Sequence, residues 1–474
     1  MGQTIVNQLA GFTRELSYGD LPPEVIEESK RLILDSIGDC LGGVTHEKGT
    51  IGVQFARTFG VLPQATVIGY GDRLSCLGAA FANGEMMQAI DYDPILPPAH
   101  ITPMTLPAIM AVSEFVGATG KEIILANALA HEVSFRIGKA MDYLRDIKDN
   151  KVARPAVVGH SCSIFGAVAG IGKLKHYDAL LIANSMGIAG CIAPTNTQGP
   201  WMMHAPPTTI KYQSAGWLNL GALTADGLAE LGHRGDVQIL EDDGFGFGKF
   251  IGTTRWEPKT ITVDIGKKWL FPASLSYKLY PQCRAFVTPL ECVMHLVAAN
   301  DIKPEEIESI HAWGEATAVE PVSSSRVIER TTDAQFSTAH GLALAAHRIP
   351  PGPAWQDAST VYNPSILKMM DKVTFEVHPD NIKFMKENPL ARPTKVEIKA
   401  RGKVFTDERL YPRGSRSPQP ETVIATDELV AKFKINAERM ISSAKIDAAV
   451  KSLLKLEEVK NFAEVMKLVS LSGG

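Results

Sequence analysis

Apolar residues return every three or four positions through DLPPEVIEESKRLILDSIGDCLGGV, where Val25, Ile26, Ile33, Ile37 and Leu41 share one side. That spacing predicts a helix, entered at Asp20 and its two prolines and stopped by Gly42-Gly43. Residues 120–141 read the same way, as does the run of small residues from 162 to 190, whose Gly and Ala content predicts helices packed backbone to backbone. After about Trp269 the period changes. IESIHAW (307–313), KVTFEVH (372–378) and KVEIKARGKVF (395–405) read as strands; in the last, Val396, Ile398 and Ala400 alternate with charged residues and Arg401-Gly402-Lys403 offers a hairpin turn. Helical patterns resume beyond YPRGSRSPQP (411–420). The expected fold is mainly α: a large all-α domain made of residues 1–270 and 408–474, interrupted by a smaller α+β domain over 271–407.

Composition narrows the classes. The chain has 474 residues, 45% of them hydrophobic, enough for large buried cores. A net charge of -4 provides no long-range field for nucleic acid or for an anionic membrane, so recognition of an anion has to be local. The six cysteines are scattered, without CxxC pairs or cluster-type spacing, which points to a reducing, cytoplasmic setting and to no metal or iron–sulfur cofactor. No apolar run is long enough for a membrane span, and no secretory leader is read at the N-terminus. Met-Gly opens the chain, but Val6 stands where a myristoylation pattern needs Ser or Thr.

Four stretches carry chemistry. IDYDPILPPAH sets Asp91 and Asp93 ahead of His100, residue types able to share acid and base roles, although a proline-rich polar loop is the bland reading. His160 in RPAVVGHSCSIFGAVAG precedes a helix, whose positive end favours the neutral imidazole; a capping or core histidine is the alternative. Lys211 stands before a long helix pattern and can offer its ammonium to a carboxylate, or simply extend to water. SYKLYPQCRAFVTP crowds Lys278, Tyr280, Cys283 and Arg284 at the domain junction. There Arg284 is expected to clamp a carboxylate with its fork, and Cys283 to pack rather than attack, since no histidine adjoins it. EDDGFGFGKF (241–250) lacks phosphate-loop spacing and reads as a turn.

In their order along nearly the whole chain, SKRLILDSIGDCLGG, AIDYD...H, GKEIILANALAHEVSFRIGKA, GHSCSIFGAVAG, IKYQSAGWLNLGALTADGLAELG, SYKLYPQCRAFVTP and DAQFSTAHGLALA resemble the MmgE/PrpD family. That family includes 2-methylcitrate dehydratase, cis-aconitate decarboxylase and iminodisuccinate epimerase. The resemblance implies an all-α domain with an α+β lid, a homodimer, and an active site in the cleft. It also implies that Asp91, His100, His160, Lys211 and Lys278 line the site, with Tyr280, Cys283 and Arg284 adjoining. Two departures stand out: Pro94 replaces the second of two adjacent aspartates, and Ala-Pro-Pro precedes Lys211. The expected activity is a cofactor-independent lyase that takes a proton from beside a carboxylate of a small di- or tricarboxylic acid. Dehydration of the 2-methylcitrate type ranks first, with decarboxylation or epimerisation as alternatives and an inactive binding homologue as the remote one. Either His160 or His100 is the expected base, and alanine at Lys211 or His160 is expected to abolish turnover with the fold largely intact.

Overall fold

A computed structural model describes residues 3–60 and 62–471. Helices dominate it. The predicted first long helix forms over Pro23–Gly43, with proline in its first turn, where a missing N–H costs nothing. The 120–141 pattern becomes Gly120–Lys139, started by a reciprocal cap between Thr119 and Glu122. The 162–190 run is two helices rather than one, Ser163–Leu174 and Ala179–Ile192, with His176 in a left-handed conformation between them and Asp178 capping the second. Periodicity alone missed the break because both helices are buried over most of their surfaces, which erases the polar stripe that marks a turn.

Glycine explains how tightly these helices pack. A Cβ on Gly166 would lie 2.0 Å from Ser134 Oγ and 2.1 Å from the Ala130 carbonyl, so the Ser163–Leu174 helix touches Gly120–Lys139 backbone to backbone. Helix Thr426–Ala437 packs back on Pro23–Gly43, and Phe433, Leu429 and Phe462 join Leu32, Leu41 and Phe165 in one apolar core shared by both ends of the chain.

A second buried cluster forms around the predicted strands. They pair as one four-stranded sheet: Val373–Val377 runs parallel to Ile307–Gly314, followed by antiparallel Thr394–Ala400 and Lys403–Arg409. Arg401 and Gly402 both take left-handed angles at the hairpin turn, as the sequence pattern requires. Helices Val287–Ala299, Thr338–Ala346 and Pro364–Met370 build the rest of this cluster with Ile310, Val396 and Ile398. Leu279 and Cys283 pack against both clusters, and Arg145, in the loop after helix Gly120–Lys139, donates to the carbonyls of Pro389 and Ala391. No helix among the described residues is long and apolar enough to cross a membrane.

Candidate active site

The strip that follows helix Cys76–Met87 turns at Asp91, a residue with φ 54 that is only 2% exposed. It is a buried strip, not a polar surface loop. Asp91 Oδ1 accepts from Lys211 Nζ at 3.1 Å and Oδ2 from Lys278 Nζ at 2.6 Å. Each lysine is also tied to the backbone of the strip, Lys211 to the Gln88 carbonyl at 2.6 Å and Lys278 to the Asp91 carbonyl at 2.8 Å. Lys211 likewise has positive φ, at 60. Left-handed backbone at such residues costs roughly 1–2 kcal/mol each, and it persists where surrounding contacts over-determine it. Here the ion pair, the carbonyl ties and the Ser214-capped helix Ala215–Glu230 do so.

Burial opposes ionisation of Asp91, but the two ammonium groups overcome it and hold the carboxyl below the usual carboxylate range. Burial likewise lowers Lys211, against the pull of Asp91 and Asp93. Neither lysine reaches water: Lys211 is 0% and Lys278 1% exposed.

Beside this group lies a histidine dyad. His100 Nδ1 is 2.7 Å from Asp93 Oδ2, and the ring is the partly exposed member of the site at 14%. Burial of Asp93 is outweighed by His100, which keeps that carboxyl lowered. His160 Nδ1 accepts the His100 backbone N–H at 3.3 Å, so its ring proton sits on Nε2 and is donated to Gln198 Oε1 at 3.1 Å. Burial, and then the charge of His100, push His160 down to about 3, so it is neutral in ordinary conditions. Both nitrogens of His160 are therefore committed, whereas His100 Nε2 has no protein partner among the described residues. Of the two histidines expected as base, His100 keeps a ring nitrogen open, while both ring nitrogens of His160 are hydrogen-bonded. Tyr212 stacks on His160 at 4.4 Å, and Trp201 packs edge-on against both Tyr212 and Phe336. Trp201 thus belongs to the wall of the site, while Met203 is exposed.

The junction residues separate in role. Tyr280 is buried against Trp355, its ring 5.9 Å away. Cys283 donates its amide to the Gln335 carbonyl at 3.0 Å, and burial, with Asp91 next in weight, pushes its thiol up to about 11, so it packs rather than attacks. Arg284 departs from expectation. Its Nη1 donates to the Arg413 carbonyl at 2.8 Å and its Nη2 to Ser415 Oγ, so the fork expected to clamp a carboxylate is spent on the 413–415 loop. Gly414 lets that loop close: a Cβ there would lie 1.9 Å from the Tyr277 carbonyl, and its φ is 96. The expectation that Lys211 can be truncated with little effect on folding also changes, because alanine there would strip a buried carboxylate of a partner.

Sequence reasoning missed the support behind the strip. Lys432 Nζ, on a C-terminal helix, reaches the Tyr92 carbonyl at 2.8 Å, Asp35 at 2.8 Å and Asp39 at 2.9 Å, and lies over the Tyr92 ring. Asp35 and Asp39 stand one helical turn apart on Pro23–Gly43, an i,i+4 pair of acids within an apolar face, which was the available signal. Asp93 was named as a candidate but not as the partner of His100, since the spacing of residues in a proline-rich loop says nothing of which ring a carboxylate meets. A cavity of about 760 Å³ adjoins the other side, lined in part by His46, Ile90, Thr331, Gln356 and Tyr362. Burial, and then the charge of Lys211, lower His46 in its wall to about 3. No group of three or more metal-ligating side chains converges among the described residues.

A buried carboxylate between two lysines, next to an aspartate-bound histidine with one open ring nitrogen, is an arrangement able to pass a proton. The N-terminal domain of the MmgE/PrpD family matches residues 7–259 and its C-terminal domain residues 280–456; the chain belongs to this family. Similar proteins include the cis-aconitate decarboxylase of Homo sapiens, 27% identical over 99% of this chain and 95% of that protein. The cis-aconitate decarboxylase of Mus musculus is 26% identical over 99% and 94%. That of Aspergillus terreus is 29% identical over 62% of this chain and 60% of its own.

Proposed function

We propose that the protein is a cofactor-independent decarboxylase of an unsaturated tricarboxylic acid of the cis-aconitate kind. The observation that carries this reading is the pairing of a free His100 Nε2, oriented by Asp93, with the Lys211–Asp91–Lys278 group. The names of the human, mouse and fungal relatives support decarboxylation over the dehydration that ranked first from sequence. In the step, the C–C bond to one carboxylate breaks and CO2 leaves. Its electron pair forms a new double bond, the former double bond shifts its electrons to the adjoining carbon, and that carbon takes the proton from His100 Nε2. Asp93 stabilises the imidazolium before transfer. Lys211 and Lys278 lower the energy of charge gathering on the remaining carboxylate oxygens, an effect worth about 10²–10³ in rate per donor.

In this reading the cluster around the four-stranded sheet acts as a lid over the helical body, the division falling near residues 270 and 408, and the working form is a homodimer. Light scattering of the purified protein tests the dimer. The activity is tested by proton NMR in D2O with cis-aconitate, citrate-like and malate-like acids. Loss of a carboxylate from cis-aconitate, with deuterium at the carbon from which the double bond moved, is expected. A hydrated or dehydrated product, or inversion without CO2, would replace decarboxylation with one of the family's other outcomes.

A further inference from the structure

Three guanidinium groups surround one carboxylate near Cys283: the turn Arg284–Phe286 that follows Cys283 packs against Ala316–Val319, which follows Glu315. Glu315, 3% exposed, pairs with Arg145 Nε at 3.0 Å and with Arg392 Nη1. Arg284 is the third cation within electrostatic reach. The next carboxylate, Glu291, pairs with Arg409. The strands explain the convergence: Glu315 follows Ile307–Gly314, Arg392 precedes Thr394–Ala400, and Trp313 stands opposite Lys395, so both residues lie at one end of the sheet. Arg145 comes from the loop that leads from helix Gly120–Lys139 toward His160.

The three arginines are not equivalent. Arg145 is spent, its other nitrogens donating to the carbonyls of Pro389 and Ala391, both at 2.7 Å. Arg284 is spent on Arg413 and Ser415. Arg392 binds Glu315 through Nη1 only; its Nε and Nη2 have no protein acceptor among the described residues, and its side chain is 16% exposed. Cations outnumbering carboxylates in a mostly buried cluster are costly to hold, and burial with mutual repulsion lowers Arg145 to about 10 and Arg284 to about 9. An anion relieves that imbalance, and a guanidinium with an open edge suits a carboxylate better than any other side chain.

We infer that Arg392, held in place by Glu315 and backed by Arg145, is a second carboxylate subsite, taking the substrate carboxylate most remote from the reacting carbon. The inference rests on the carboxylic acid reading above. It adds to that reading the residue that holds one of the acid's carboxylates away from the reacting carbon. Cys283 lies near both groups, its thiol feeling Asp91, Lys278 and Glu315.

The test is calorimetric titration of the full chain with tricarballylate, a saturated tricarboxylate. Arg392→Gln is expected to weaken binding at least about tenfold, the usual worth of a charge-assisted hydrogen bond to a carboxylate. Arg392→Lys keeps the charge beside Glu315 and lacks the fork; it is expected to fold even where the glutamine variant does not, and to bind several-fold more weakly than the unmodified protein. Unchanged affinity in both variants, or no binding of tricarballylate by the unmodified protein at millimolar concentration, overturns the subsite. The two readings fail separately. Decarboxylation with variant affinities unchanged removes the subsite alone, whereas arginine-dependent binding without CO2 release removes the proposed reaction alone.

Discussion

Asp91→Asn is the most informative single change. The carboxylate sits 3.1 Å from one ammonium and 2.6 Å from the other, all three groups almost fully buried. At an effective dielectric of about 20, each attraction is about 5–6 kcal/mol before desolvation is subtracted. Asparagine has the same shape, but its amide N–H₂ faces an ammonium, so one lysine loses its acceptor and both lose the opposing charge. Removing one member of a buried ion pair costs about 3–5 kcal/mol, the loss expected in urea unfolding monitored by far-UV circular dichroism at neutral pH. The second half of the experiment adds Lys278→Met, which withdraws one of the stranded cations. The double variant should recover about 2 kcal/mol of the loss, a coupling that independent sites do not show. Both proteins should be inactive. A cost below about 1 kcal/mol for Asp91→Asn alone, or strict additivity in the double variant, would refute an ionised Asp91 shared between the lysines.

Other outcomes are expected from the same geometry. His100→Ala should reduce turnover by about 10²–10⁴ and, because it leaves the buried Asp93 carboxylate without its partner, should also lower the unfolding midpoint; an active variant would move the proton role elsewhere. His46, His131, His160 and His340 are lowered chiefly by burial, to about 3, 4, 3 and 4. The folded state holds them neutral while the unfolded chain protonates near pH 6.5, so their stabilisation is complete above that pH and is lost as pH falls, at up to about 1.4 kcal/mol per unit for each. Unfolding free energy flat between pH 7 and 5 would contradict this. Lys432→Met should destabilise by about 3–5 kcal/mol by stranding Asp35 and Asp39, with Asp39→Asn in the same chain restoring part of it in thermal melts.

Much of the architecture is legible in the sequence. The three-to-four spacing in 20–44 and 120–141, the alternation in 395–405 and the Arg401-Gly402 turn all became the elements they predict, because local geometry decides which side of a helix or strand an apolar residue occupies. The candidate residues were legible as chemical types along the chain. Their partnerships were not. Lys278 meets Asp91 across 187 residues and Lys432 meets Tyr92 across 340, contacts that no local pattern encodes. Tertiary packing alone decided that Arg284 is spent on the 413–415 loop while Arg392 keeps an open edge, and that His160 is locked while His100 is free. The physical reason is common to all of these. A side chain's type sets what it can donate or accept, but burial and the nearest opposing charge set whether that capacity is already used, and both depend on segments brought together only by the folded chain.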